Sequence, residues 1–296
     1  TLNLIIAYAA AQWLALAVLF MQTKSEIKKA IATPIDKPLL NETLRYGVPL
    51  VFGGLAYWGL VSVDRLLLKQ YSSLAELGVY SMAVSFGAAA LIFQSIFSTI
   101  WAPMVFRWVN EGVNLERIAK IVPSMLAAVT SILCFAGLFS PLIPLLLPHK
   151  YAPVQFILLS SILFPLLYTM TEVTGIGINV SKKTWLVTVI SLIALAVNFT
   201  LCRLMIPLLG ARGAAMSMAI SFWLYFALKT EASIRLWQPL PRLRIYGNTL
   251  LALAFCLSYT YFGSRSNYPF FALVWLIILA ALVFSYQHSL RQTVSA

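Results

Sequence analysis

Acidic residues are scarce in this chain. Nine Asp and Glu stand against 21 Lys and Arg in 296 residues, and charged residues of both signs make up only 10%. A soluble domain carries roughly a quarter of its residues charged, so too little charge is present to clothe a soluble surface. Histidine is almost absent. His149 and His288 lie far apart, which leaves no histidine metal centre and no Ser/His/acid relay to assemble. The three cysteines, Cys134, Cys202 and Cys256, sit inside apolar runs with no metal-binding spacing; they read as small buried hydrophobes. Gly-rich phosphate loops, HExxH and GxSxG are all missing. No catalytic constellation exists, and an enzyme is not expected. Lysine and arginine never gather into a long block, which argues against nucleic acid as a partner.

What is present is apolar length. Hydrophobic residues make up 61% of the chain and the mean hydropathy is +0.88. Both values place the chain among integral membrane proteins. Long apolar spans joined by short polar links predict an all-α, polytopic membrane helix bundle of about nine transmembrane helices. The expected spans are 2–21, 46–67, 77–105, 121–140, 154–180 (interrupted by Pro165), 185–207, 211–229, 248–262 and 269–286. No link is long enough for a soluble domain, and nothing alternates as a barrel strand would. Ser25–Ile31 is expected to form a short surface helix before Pro34. Trp101, Trp108, Trp185 and Trp237 read as anchors at the membrane interface.

Counting Lys and Arg on alternate sides puts fifteen on one and six on the other. The rich side holds the links 22–45, 107–120, 181–184 and 229–245 and the C-terminus, so the positive-inside rule makes it cytoplasmic. Residue 1 then falls outside, and it is threonine rather than methionine. The expectation is that an N-terminal portion with an odd number of spans precedes it.

Function must rest on charges within or at the edges of the spans. Glu172 lies inside an apolar span between Thr171 and Thr174. A mid-helix carboxylate costs about 2.5–3.5 kcal/mol to insert, so Glu172 is the candidate for coupling to a proton or a sodium ion. Arg203 is the matching cation, suited to bidentate binding of an anionic headgroup or to snorkelling. Asp64, Arg65 and Lys69 close the second span. Neighbours on a helix point about 100° apart, so Asp64 and Arg65 cannot both face lipid or both face one neighbour. Asn198 is expected to hydrogen-bond between helices, and Gly53, Gly54, Gly87, Gly175 and Gly177 to permit close packing.

Several stretches together resemble one family. They are RYGVPL at 45–50, Trp58, Asp64-Arg65, GVYSMA at 78–83, GINVSKKT at 177–184, Asn198, and LMIPLLGARGAAMSMAIS at 204–221. Over roughly residues 40–230 the chain is similar to Wzx-type polysaccharide (O-antigen) flippases of the MOP superfamily, relatives of the MATE exporters. The resemblance implies residues 1–22 as the last helix of an N-terminal lobe, 23–45 as a cytoplasmic linker, and 46–296 as a MATE/MOP-like C-terminal lobe. It further implies the bacterial inner membrane, ion-coupled alternating access and no cofactor. The implied substrate is an undecaprenyl-diphosphate-linked oligosaccharide, moved from the cytoplasmic to the periplasmic leaflet. Membrane lipid and polysaccharide polymerase machinery are the implied partners. On this reading Arg65, Lys69 and Arg203 meet the diphosphate in a cavity, while Glu172 or Asp64 couples to the ion. A MATE-like cation or drug antiporter is the alternative within transport. A membrane glycosyltransferase or polysaccharide polymerase is the alternative of another class.

Overall fold

A backbone in hydrocarbon must satisfy its own hydrogen bonds, which only helices and closed barrels achieve. The computed structural model describes residues 2–32, 34–112 and 116–294, and among them there is no strand. The chain divides into two compact units, Thr1–Arg45 and Tyr46–Ala296.

The first unit holds α1, Leu2–Ala32. The stretch expected as a separate surface helix is continuous with it, because no helix breaker intervenes before Pro34. Helix α2, Lys37–Tyr71, begins nine residues ahead of the expected start at Tyr46. Asp36 is the reason: its carboxylate accepts the Leu39 N–H at 3.1 Å, an N-cap that satisfies one of the helix's orphan donors.

The second unit continues along α2 and through α3, Leu74–Phe86, and α4, Ala88–Asn110. Helix α5, Glu116–Phe139, is followed by a short α6, Ile143–Leu146, among the prolines. Then come α7, Val154–Thr174, and α8, Gly177–Val180. Helices α9, Trp185–Leu209, α10, Ala211–Leu236, α11, Arg242–Phe262, and α12, Tyr268–Val294, complete the order.

Seven helical stretches among the described residues are long and apolar enough to cross a membrane, and they lie in α1, α2, α4, α5–α6, α7, α9 and α10. The last two of the expected nine, in α11 and α12, are not among these seven; helix α11 opens with Arg242, Arg244 and Asn248. The expected third span is two helices meeting at Gly87, which ends α3 and starts α4. Pro165, by contrast, does not interrupt α7; the proline only frees the carbonyl one turn back. The side chains of Glu116, Arg117, Lys120, His288 and Arg291, used in the charge count and the histidine survey, lie outside the described residues.

Polarity is distributed inside out. Exposed positions carry large apolar groups such as Trp58, Leu145 and Leu208, whereas the interior holds Ser160, Thr169, Thr174, Ser217, Ser221 and Asn198. Interior hydroxyls pair between helices: Ser160 with Thr260 at 2.6 Å, Thr174 with Thr230 at 2.6 Å and Ser140 with Tyr259 at 2.7 Å. In lipid, where apolar burial gains nothing, such contacts and close packing hold helices together. The three cysteines are buried and free.

Helix α7 is the axis of this unit and packs against α3, α4, α5, α10 and α11. It runs parallel to α10, since Phe164 meets Phe222, Thr174 meets Thr230 and the Gly177 N–H donates to Ser233 Oγ. Helices α2 and α9 are parallel as well. Thr184 Oγ1 donates to the Tyr46 carbonyl, Thr188 Oγ1 to the Pro49 carbonyl, and Asn198 Nδ2 to the Leu60 carbonyl, at 2.8, 2.5 and 3.1 Å.

Two ends result. Tyr46, Ser181 and Leu236 gather at one, where Ser181 Oγ donates to the Leu236 carbonyl. At that end Glu231 also clamps α10 to α11 through Arg242 at 3.0 Å, and pairs within α10 with Arg235 at 3.0 Å. At the other end Glu76 of α3 accepts the Ala211 N–H at 2.7 Å and so caps α10. There Tyr268 Oη donates to the Leu138 carbonyl, and an Arg212 N–H donates to the Tyr261 carbonyl. Gly210, just before that cap, has φ +55°, a conformation in which a Cβ is strained.

Candidate functional site

The charged centre of the bundle is a pair, and its second member is Lys229. By apolar length alone a span ends at this lysine, which then counts toward a link on the expected cytoplasmic side. Instead α10 continues two more turns, to Leu236, and Lys229 is 7% exposed. Its Nζ lies 3.9 Å from Glu172 Oε1 on α7 and donates to Thr171 Oγ1 at 3.4 Å. It also stands over the rings of Tyr168 and Tyr225, 5.6 Å from each centroid. Tyr57 of α2 closes the group, with its ring 5.1 Å from Tyr168 and 6.1 Å from Tyr225. Two tyrosines thus flank the ammonium, and a third, from α2, packs against both of their rings.

Local sequence explains the arrangement. Tyr168 and Glu172 are four residues apart on α7, and Tyr225 and Lys229 are four apart on α10, so each pair shares a helix face. The parallel register brings the two faces together. Gly175 makes the approach possible, since a Cβ there would stand 2.9 Å from Lys229 Cγ. The aliphatic stem of the lysine lies where a side chain at 175 would be. Trp101 supports the site from α4, its indole N–H donating to the Glu172 carbonyl at 2.8 Å. Trp101 is therefore no interfacial anchor: it is 1% exposed and stacks on Phe97 at 5.3 Å.

At 3.9 Å the ion pair is beyond direct hydrogen bonding. The ammonium is shared between a hydroxyl, a carboxylate and two aromatic faces. Aromatic rings attract a cation by roughly 2 kcal/mol or more once water is excluded. The cluster presents a fixed positive charge, a carboxylate with 17% side-chain exposure and several hydroxyl-bearing rings.

The remaining sequence candidates separate into two groups. Asp64 is buried on α2, where it accepts hydrogen bonds from Tyr80 Oη of α3 and from the Arg65 N–H. Arg65 is exposed, as the 100° rule required of one neighbour. Asn198 lies close by on α9; its Oδ1 accepts from Ser221 Oγ at 3.5 Å and from Cys202 Sγ at 3.6 Å. Asp64 stands two turns from Tyr57 along α2, about 10 Å, so it does not join the Lys229 cluster. Arg65, Lys69 and Arg203 are all exposed. None of the three is in an ion pair among the described residues, and Arg203 stacks over Phe199 at 5.8 Å. No group of three or more His, Cys, Asp and Glu gathers among the described residues.

These features define a multi-pass helical membrane protein with an ion pair inside its helix bundle. No protein-family model, no curated protein and no solved structure matches the chain.

Proposed function

We propose that the chain is a transporter of the polysaccharide-flippase type. It moves an undecaprenyl-diphosphate-linked oligosaccharide between leaflets of the bacterial inner membrane by ion-coupled alternating access. The observation that supports this reading is the Glu172–Lys229 pair inside the bundle, flanked by Tyr168 and Tyr225, with Tyr57 packed against both rings. Ionisable residues at membrane depth are costly and mark substrate or ion pathways. A lysine attracts the diphosphate, tyrosine rings and hydroxyls suit sugar faces, and Glu172 is placed to exchange a proton or sodium ion as Lys229 changes partner. A cationic drug fits less well, because the ammonium of Lys229 already stands where a cationic ligand would sit over the rings.

Proteoliposomes carrying a fluorescent undecaprenyl-diphosphate disaccharide test the proposal. The wild-type protein should move the label across the bilayer, and Lys229→Gln and Glu172→Gln should each slow it roughly tenfold or more. Equal rates in wild type and both variants would sink the reading.

A further inference from the structure

The Lys229 cluster has the parts of a binding site for a small organic cation, with the cation supplied by the chain itself. An aromatic cage recognises an ammonium group through ring faces within about 6 Å, and Tyr168 and Tyr225 both present their rings to Nζ at 5.6 Å. A carboxylate and a hydroxyl complete the enclosure, Glu172 at 3.9 Å and Thr171 at 3.4 Å. The ammonium is therefore held by the enclosure as a whole, as a free ligand would be, and not by one short bond to the carboxylate. The rings are fixed from behind. Tyr57 packs on both, and Phe222 packs on Tyr57 at 5.9 Å and on Tyr225 at 5.8 Å. The lysine stem runs in a slot that a glycine leaves open, since a Cβ at Gly175 would stand 2.9 Å from Lys229 Cγ and 3.1 Å from Cε. The slot's two walls are tied to each other at the neighbouring residues. Thr174, beside Gly175, pairs with Thr230, beside Lys229, at 2.6 Å, and the Gly177 N–H donates to Ser233 Oγ at 3.0 Å. A slot bounded in this way stays open when its occupant is cut away, because packed surroundings relax only partially.

We infer that the cage is a cation site which Lys229 fills as a tethered ligand, and that the class of ligand it takes is a primary alkylammonium. Cutting the side chain back to Cβ removes Cγ, Cδ, Cε and Nζ, which are the atoms of n-propylammonium. That ion fits the slot of Lys229→Ala, where it meets the two ring faces and a Glu172 that has lost its cation. A hard metal ion asks instead for a shell of oxygen ligands, which ring faces do not provide. A tethered ligand does not dilute away, so the wild-type cage takes no cation from solution. The site rests on the geometry of the cage alone. Its consequence for coupling rests on the transport reading: a transporter whose cage carries its own cation moves substrate without sodium.

The test is thermal unfolding of the purified chain in detergent, titrated with n-propylammonium chloride against potassium chloride at constant ionic strength. A ligand that binds only the folded state raises its stability with concentration. The midpoint of Lys229→Ala should rise saturably by several degrees, and that of wild type should not move. Lys229→Met should not respond either, since it deprives Glu172 of its cation just as fully but fills the slot with its own chain. Lys229→Ala/Glu172→Gln should bind about tenfold more weakly or worse. The site is overturned if Lys229→Ala gives no saturable rise, if Lys229→Met or the double variant responds as strongly, or if sodium or propylammonium saturably stabilises wild type. Should Lys229→Ala be too unstable to purify, recovery is the readout. Propylammonium present during extraction should raise the monodisperse fraction of Lys229→Ala and not that of Lys229→Met, and no gain overturns the site. In proteoliposomes, wild-type flipping should be equal in sodium and potassium salts. Sodium-dependent flipping overturns the inference and leaves the transport reading in place. A saturable rise in Lys229→Ala with no flipping by wild type leaves the cage standing and sinks the transport reading.

Discussion

At the scale of single residues, the most consequential assignment is the lysine that a reader of the sequence takes for the end of a span. Burying an unpaired charge is far more costly than burying a pair. Glu172→Gln alone, or Lys229→Met alone, should therefore cost about 3 kcal/mol of stability. The double variant Glu172→Met/Lys229→Met should recover a good part of that loss. Unfolding in mixed micelles reads all three, and additive losses would show that the side chains are not coupled. Glu172 was legible because a lone acid in an apolar run announces itself. Its partner was not, since Lys-Thr-Glu at 229–231 reads locally as a polar stop and only the tertiary neighbours on α7 keep it inside. The i, i+4 pairs Tyr168/Glu172 and Tyr225/Lys229 were the available signal. Each pairs a tyrosine with a charge on one helical face.

At the scale of elements, helices were readable where apolar length is unbroken and least readable at their ends. Helix α2 begins early because Asp36 caps it, and α10 runs past Lys229 because nothing breaks it until Trp237 and the prolines beyond. The division at Gly87 has no strong local marker, since a single glycine in an apolar run is equally compatible with a continuous membrane helix. The start of α10 is set from outside the element by Glu76. Glu76→Ala should destabilise that end by about 1 kcal/mol, seen as faster hydrogen exchange at amides 211–214 with the rest of α10 unchanged. Gly210→Ala should cost more, because a Cβ at φ +55° would also stand 2.6 Å from Glu76 Oε2. Equal exchange in Glu76→Ala and wild type would remove the capping role.

At the scale of the whole molecule, the division of links between two ends follows from the contacts of the second unit. Positions near Lys183 and Arg244 share one end, and positions near Lys150 and Arg265 share the other. The three native cysteines are buried, so they give little background to a thiol reagent. Cysteines placed at 183 and 244 should react with an impermeant maleimide from one face of the membrane, and those at 150 and 265 only from the other. By the positive-inside rule the first face is expected to be the cytoplasmic one. Labelling of both sets from one face would refute the arrangement. Grouping the links by side was possible from the sequence because charge bias is a property of loops. The parallel pairing of α7 with α10 and of α2 with α9 was not, because apolar surfaces in lipid carry no directional signature.

Helix α3 is only 13 residues long, yet it touches two other helices with two polar side chains. Glu76 holds the first turn of α10, and Tyr80, one turn further along the same face, holds Asp64 of α2. The two bonds therefore tie the ends of α2 and α10 to one short helix, so that three helices are fixed to each other by a single 13-residue element.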